Sequence, residues 1–230
     1  MKKENTKPST AKNLRSNKKP ANRPLLLIGT SNLGKFREIK EVLRGLPLKF
    51  VMPQDLGIID SPHESGKTYK ANAKIKAKFY FEKSGGVNTL AEDSGIEIHA
   101  LPNALGHKTR RWGKGEKASD TEWLTHFLKQ MEKVPESKRT AEFKCTAALI
   151  WNKKTYTFEG SCKGKITHRP EAPILKGLPL SSCFRPNGQK KVYAALSAHA
   201  KNKLSHRGQA ISKAKLIIYS LSSSTLSFPT

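Results

Sequence analysis

The chain has 230 residues, and 43 lysines and arginines against 18 aspartates and glutamates give it a formal net charge of +25. No apolar run approaches the roughly 18 residues that a membrane-spanning helix needs, so we expect no membrane insertion. Three cysteines without a C-x-x-C pair argue against a disulfide framework and a zinc knuckle, and we expect a soluble cytoplasmic protein.

The first 23 residues carry eight basic side chains and one acid, Glu4, but few large apolar groups. Such a segment cannot bury enough apolar surface to fold, so we predict a disordered basic tail over residues 1–23. Two interpretations stay open: a solvated tail that aids solubility or carries an address, and an arm that contacts RNA or DNA non-specifically through counterion release. The charge excess of the remaining chain favours polyanionic partners such as nucleoside triphosphates.

The first predicted strand, residues 25–29, leads into a G-x-x-x-x-G-K motif at residues 29–35. From Phe36 onward apolar residues recur at helical spacing, and glycine and proline at residues 45–47 end the helix. A loop between a strand and a helix start offers backbone N–H groups to a phosphate. The motif is not a complete P-loop, because the Mg²⁺-binding Ser or Thr is here Phe36. A damaged P-loop, a coincidence and a different phosphate loop with metal ligands elsewhere all stay open.

The rest of the chain mixes strands and helices without regular alternation, which fits an α+β or mixed α/β fold better than a doubly wound sheet. We predict strands at residues 48–52, 89–91, 140–151, 155–162 and 164–168, and helices at 68–83, after a capping box at 119–122, and at 205–220.

Adjacent carboxylates follow the short strand predicted at residues 89–91, in the motif Glu92-Asp93-Ser94-Gly95. Two acids at the end of a buried strand need a compensating cation, and one or two carboxylates with substrate phosphates commonly hold Mg²⁺. The alternative is a helix cap or an Asx-turn. Glu64, in a predicted loop, is either a further ligand or a solvated charge.

Ser205, His206 and Arg207 come together just before the last predicted helix. A hydroxyl, an imidazole and a guanidinium at a helix start supply directed donors for a ring carbonyl or a phosphate. The alternative is an ordinary capping serine followed by two exposed side chains.

Six segments in this order resemble one family, the inosine triphosphate pyrophosphatases, which hydrolyse deaminated purine nucleoside triphosphates. The segments are TSNLGKFREI (30–39), ESGKTYKANAKIKA (64–77), LAEDSGIEIHAL (90–101), RTAEFKC (139–145), FEGSCKGKI (158–166) and SHRGQAI (205–211). The resemblance implies a long twisted mixed α/β sheet flanked by helices, with two lobes around a central nucleotide cleft. It also implies a homodimer, a single domain over residues 24–222 and a flexible C-terminus at 223–230.

The resemblance further implies a role for each matching residue. The first loop would cradle the triphosphate, which makes the P-loop likeness incidental; its residues are Thr30, Ser31, Asn32, Leu33, Gly34 and Lys35. Asp93 matches the catalytic aspartate and Mg²⁺ ligand, with Glu92 beside it and Glu64 as a further metal-site acid. The implied substrate contacts are Ser94, Lys201, Ser205, His206 and Arg207, of which Lys201, His206 and Arg207 would grip the purine. The expected reaction is Mg²⁺-dependent hydrolysis of ITP, dITP and XTP to the monophosphate and pyrophosphate.

This chain departs from the family pattern inside the implied site. Glu92 replaces an aspartate, Ala71 a glutamate, Leu178 a phenylalanine expected to stack on the base, and Ser181 an aspartate. Residues 107–112 are also more basic than the usual turn. Two functions therefore stay open: an active pyrophosphatase of altered selectivity or reduced rate, and a degenerate relative that binds nucleotides or nucleic acid with little turnover.

Overall fold

The computed structural model of the protein describes residues 23–115 and 117–225. The predicted basic tail, apart from Arg23, and residues 226–230 of the predicted flexible C-terminus lie outside the described residues. Among the helices of these two ranges, none combines the length and the apolar character needed to cross a membrane.

Six strands form one mixed sheet in the order β2-β1-β3-β4-β5-β6. They are β1 (Leu25–Ile28), β2 (Lys49–Val51), β3 (Thr89–Ile98), β4 (Thr140–Trp151), β5 (Lys154–Ile166) and β6 (Phe184–Pro186). The strand β1 runs parallel to β2 and β3, whereas β3 to β6 pair antiparallel. The apolar run of β1 is almost entirely buried, as expected for a parallel strand covered on both faces. The predicted mixed α/β class is confirmed.

Within the described residues, five α-helices pack on this sheet: α1 (Leu33–Val42), α2 (Tyr69–Lys83), α3 (Asp120–Gln130), α4 (Ala198–Leu204) and α5 (His206–Thr225). Polar caps begin the first three, because the side chains of Asn32, Thr68 and Ser119 each accept a hydrogen bond from a backbone N–H three residues later. Ser119 also forms the predicted capping box with Glu122. The helix predicted at 205–220 is preceded by α4, which the sequence analysis missed, and it continues to residue 225.

The carboxylate motif lies inside a strand, contrary to the prediction. The strand β3 does not end at Ala91 but runs for ten residues, and Glu92 and Asp93 are paired with Ala147 and Thr146 of β4. Neither a helix cap nor an Asx-turn forms at this motif. Because side chains alternate along a strand, the two carboxylates point to opposite faces of the sheet.

The long hairpin of β4 and β5 also differs from the prediction, since the strands expected at 155–162 and 164–168 are one continuous strand. Gly164 does not interrupt β5 but lets β6 approach it. A Cβ atom at Gly164 would lie 2.3 Å from the carbonyl oxygen of Arg185. The glycine therefore serves close packing at the sheet edge.

Four apolar clusters form within the described part of the chain, and two of them are much larger than the others. The first packs α1 and α5 against β1, β3 and β4, with Leu26, Ile39 and Ile211 fully buried. The second packs α3 and the segment before β6 against the distal ends of β3 and β4, around Phe127 and Phe184. A cleft of about 700 Å³ is lined by residues from both sides, which agrees with the predicted two lobes around a central cleft.

Candidate active site

The cleft brings together most of the residues that the sequence analysis selected. Those that line it are Thr30, Ser31, Asn32, Lys35, Glu64, Glu92, Asp93, Ser94, Leu178, Ser181, Lys201, His206 and Arg207. Leu33, Gly34 and Ser205 do not line it. Ser205 instead accepts a hydrogen bond from the Gly208 N–H and stabilises the start of α5.

The loop before α1 is held in place by Asn32. Its Oδ1 accepts a hydrogen bond from the Lys35 N–H at 3.0 Å, and its Nδ2 donates to the Gly177 carbonyl at 2.9 Å. Gly34 lies beneath the loop at 176–178, since a Cβ atom there would lie 2.5 Å from the carbonyl oxygen of Lys176. The start of α1 is thus fixed at the cleft, where the helix dipole favours an anion.

Glu92 is buried between basic side chains on one face of β3. Its Oε1 lies 2.8 Å from Lys35 Nζ and 3.5 Å from Arg207 Nη2, and the Cys145 thiol donates to Oε2 at 3.5 Å. Burial alone would raise the pKa of Glu92, but Lys35 and Arg207 hold it well below its ordinary value. Glu92 is therefore a buried carboxylate that orients two cations.

Asp93 lies on the other face of β3 and shares a cation with Glu64. Lys76 Nζ is 2.5 Å from Glu64 Oε1 and 3.0 Å from Asp93 Oδ1, while Asn72 Nδ2 donates to Asp93 Oδ2 at 3.3 Å. Burial raises the pKa of Asp93, and Lys76 and Lys35 offset the rise only in part. A carboxyl group with this raised pKa is a better proton acceptor than an exposed aspartate.

The predicted metal ligands divide into a pair and a single residue. Glu64 and Asp93 converge on one ammonium ion, and their hard oxygen atoms fit two positions of a Mg²⁺ site that substrate phosphates would complete. Glu92 belongs to the opposite face, with Lys35 and Arg207. Across residues 23–115 and 117–225, no three His, Cys, Asp or Glu side chains are grouped so as to hold a metal ion. The fit is therefore to two carboxylates rather than three.

A second buried ionic group lies at the far end of the cleft, around Glu38. Lys201 Nζ is 2.5 Å from Glu38 Oε1, and Arg207 pairs with Glu38 Oε2. Lys201 also donates to Ser181 Oγ at 3.4 Å and lies over the ring of Tyr193. Burial opposes the ionised form of Glu38, but Arg207 and Lys201 keep its pKa below the ordinary value. One carboxylate thus orients both cations.

His206 adds a neutral polar group to this end of the cleft. Its imidazole stacks on Phe143, with ring centroids 4.6 Å apart and planes at 9°. Burial and the nearby Arg207 hold the pKa of His206 well below 6.5, so the ring stays uncharged at neutral pH. Its buried Nδ1 has no hydrogen-bond partner within the described part of the chain. His206 therefore adds an uncharged ring beside the buried cations Lys201 and Arg207.

The loop that carries Leu178 is fixed from two sides at one residue, Gly177. Asp120 Oδ2, at the start of α3, accepts a hydrogen bond from the Gly177 N–H at 2.6 Å, and Asn32 binds the Gly177 carbonyl. Gly177 has φ +78°, a conformation that favours glycine. Leu178 and Trp123 add apolar surface to the cleft. The cleft therefore offers cations for phosphates and an apolar, polar-edged pocket for a flat ring.

Sequence reasoning missed several residues that orient the site. Lys76 lies in the helix predicted at 68–83, on a face where apolar and basic residues are mixed. The signal available in the sequence was a cation among residues expected to be buried. Nothing in the sequence indicated a role for Glu38 except its position one helical turn after Lys35. Arg111, whose Nη1 lies 3.4 Å from Glu64 Oε2, was noted only as part of a basic turn.

Comparison with known proteins identifies relatives that match most of this chain. The model of the Ham1 family matches residues 26–217. Curated relatives include the dITP/XTP pyrophosphatase of Bacillus licheniformis, 34% identical over 196 residues, which are 84% of this chain and 97% of the relative. The dITP/XTP pyrophosphatase of Geobacter sulfurreducens is 36% identical over 191 residues, 83% and 94% of the two chains. A HAM1 protein from Coxiella burnetii has a solved structure with a TM-score of 0.71 at 30% identity, covering 86% of this chain and 99% of its own.

Proposed function

This chain belongs to the Ham1 family, and from that membership we propose that it hydrolyses deaminated purine nucleoside triphosphates to the monophosphate and pyrophosphate. The substrates proposed are ITP, dITP and XTP, with Mg²⁺ as the cofactor. One observation carries the proposal: a single cleft joins the Glu64–Lys76–Asp93 group to the Lys201–His206–Arg207 group.

The phosphate end would act through its own cations and carboxylates. Lys35, at the positive end of the α1 dipole, binds the phosphates and neutralises their charge. Glu64 and Asp93 would hold the divalent ion, whose chemistry is to polarise the phosphoryl oxygens and neutralise their charge. Asp93 orients the attacking water at the α-phosphorus and accepts its proton.

The ring end would select the base by hydrogen bonding. Lys201 and Arg207 are donors held by Glu38, and a keto oxygen at purine C6 accepts from them. Adenine presents an amino group at this position and leaves buried donors unpaired, which discriminates strongly against it. Leu178 supplies apolar contact where the resemblance implies an aromatic ring, so the expected base affinity is lower than with phenylalanine.

The proposal extends to the setting of the enzyme. We propose a single domain over residues 24–222 that acts as a homodimer in the cytoplasm, on the strength of the family resemblance. The basic tail, residues 1–23, would add non-specific contact with RNA or DNA.

Pyrophosphate release from ITP, XTP, dITP and GTP tests the function, with Mg²⁺ and with EDTA. We expect turnover of the first three in Mg²⁺ and none in EDTA, while GTP, which shares the C6 keto oxygen, tests recognition at purine C2. No turnover on any triphosphate, together with salt-sensitive retention of RNA or DNA, would support a degenerate relative instead.

A further inference from the structure

The two carboxylates proposed for the metal are fully occupied in the ligand-free protein. Lys76 Nζ contacts one oxygen of Glu64 at 2.5 Å and one of Asp93 at 3.0 Å. Arg111 Nη1 lies 3.4 Å from the other oxygen of Glu64, and Asn72 donates to the other oxygen of Asp93 at 3.3 Å. All four carboxylate oxygens therefore have a partner.

Lys76 is itself well bound at this position. Its ammonium group also lies 3.4 Å from the Glu92 carbonyl oxygen, so three oxygens surround its three N–H donors. The side chain is only 14% exposed. The ammonium group is therefore a cation between the two carboxylates, at the place that a bridging divalent ion would take.

The charges around this position are already balanced. Glu64 and Asp93 contribute two negative charges, and Lys76 and Arg111 contribute two positive ones. A divalent ion that entered alone would lie within contact distance of a buried ammonium group, where water screens the repulsion poorly. A triphosphate removes this obstacle, because its oxygens give Lys76 and Arg111 new anionic partners.

We propose that Lys76 occupies the metal position of the ligand-free protein and leaves it for the phosphates when the ion arrives with the nucleotide. Loading of the metal is then coupled to loading of the triphosphate, and the free protein resists divalent ions. This inference rests on the proposed function, which supplies the ion and the nucleotide.

The exchange needs only a side-chain movement. The helix α2 is anchored by Ala73, Ala77 and Tyr80, which are buried against the sheet. Lys76 carries its charge on a flexible four-carbon stem, so the ammonium group turns from carboxylates to phosphates without displacing the helix.

The test measures binding of Mn²⁺ to the nucleotide-free protein, with the free ion followed by electron paramagnetic resonance. We compare the wild type with Lys76→Met and with the matched control Lys78→Met, whose side chain is 73% exposed on the same helix. We expect Lys76→Met to bind one Mn²⁺ at least about tenfold more tightly than the other two. Adding Asp93→Asn to Lys76→Met should abolish the gain.

Equal Mn²⁺ affinities for the wild type and Lys76→Met would overturn the proposal, as would a gain that survives Asp93→Asn. Lys76→Gln serves as a second variant if Lys76→Met does not fold by circular dichroism, and the same outcomes apply to it. The experiment measures metal binding without nucleotide, so its result does not depend on turnover. If the wild type turns over no triphosphate, the proposed function is refuted, and the Mn²⁺ affinities still test whether Lys76 occupies the metal position.

Discussion

Replacement of Glu38 by glutamine tests the claim that one carboxylate sustains the buried cations at the ring end of the cleft. The side chains of Lys201 and Arg207 are 9% and 4% exposed, and Glu38 is 16% exposed. Glutamine keeps the shape and one acceptor oxygen but removes the charge. Among the described residues, the substitution leaves Lys201 without a carboxylate partner, while Arg207 keeps the longer contact to Glu92 and a hydrogen bond to Ser94 Oγ.

The expected cost follows from this burial. Removing one partner of a buried ion pair costs about 3–5 kcal/mol, because the remaining charge stays desolvated. Glu38 serves two cations, so we expect Glu38→Gln to lower the free energy of unfolding by about this amount. Such a loss is a large part of the 5–15 kcal/mol that typically stabilises a domain.

Urea unfolding at about pH 7.5 measures this loss, and Glu41→Gln on the same helix is the control. Glu41 is 35% exposed and pairs only with Arg44, which is 77% exposed, so its loss should cost less than about 1 kcal/mol. If Glu38→Gln and Glu41→Gln shift the urea midpoint equally, Glu38 does not sustain the buried cations.

Three further predictions concern the chemistry and the pH dependence of the protein. Asp93→Asn should lower kcat about 10²–10⁴-fold in protein that still folds by circular dichroism, and near-wild-type turnover would remove Asp93 from the mechanism. Leu178→Phe combined with Ser181→Asp should lower the KM for ITP, because the first change adds an aromatic ring to the pocket and the second places a carboxylate near Lys201. An unchanged KM would show that this loop does not contact the base. The pKa of His206 is held below 6.5, so the unfolded chain takes up this proton first as the pH falls. Stability should be complete above about pH 6.5 and fall by about 1.4 kcal/mol per pH unit below it, in urea unfolding at pH 7.5 and 5.5. The same slope in His206→Phe would contradict this assignment.

The comparisons confirm the family resemblance that six short segments indicated. Local signals also predicted the first strand and the capping box of α3 correctly, because a polar cap and an apolar run act within a few residues. The first strand and the helix predicted after it locate the loop that the resemblance implies for the triphosphate. The relative positions of Lys35, Asp93 and Arg207 followed from the resemblance rather than from any local pattern.

The errors arose where distant partners decide the structure. Glu, Asp, Ser and Gly have low strand propensity, so β3 was expected to end at Ala91. Ten successive pairs with β4 and the cations Lys35, Lys76 and Arg207 override that preference. The pairing of Glu38 with Lys201 joins residues from α1 and α4, and no periodicity within one segment reports such a contact.

The two hydrogen bonds made by Gly177 limit the length of ligand that the cleft accepts. Asn32 connects Gly177 to the turn before α1, and Asp120 connects it to α3. The two sides of the cleft are therefore joined at this one residue. This connection fixes the distance between the residues proposed to bind the polyphosphate and those proposed to bind the ring. A molecule with a longer or shorter reach would carry its reactive phosphorus past Asp93 or stop short of it.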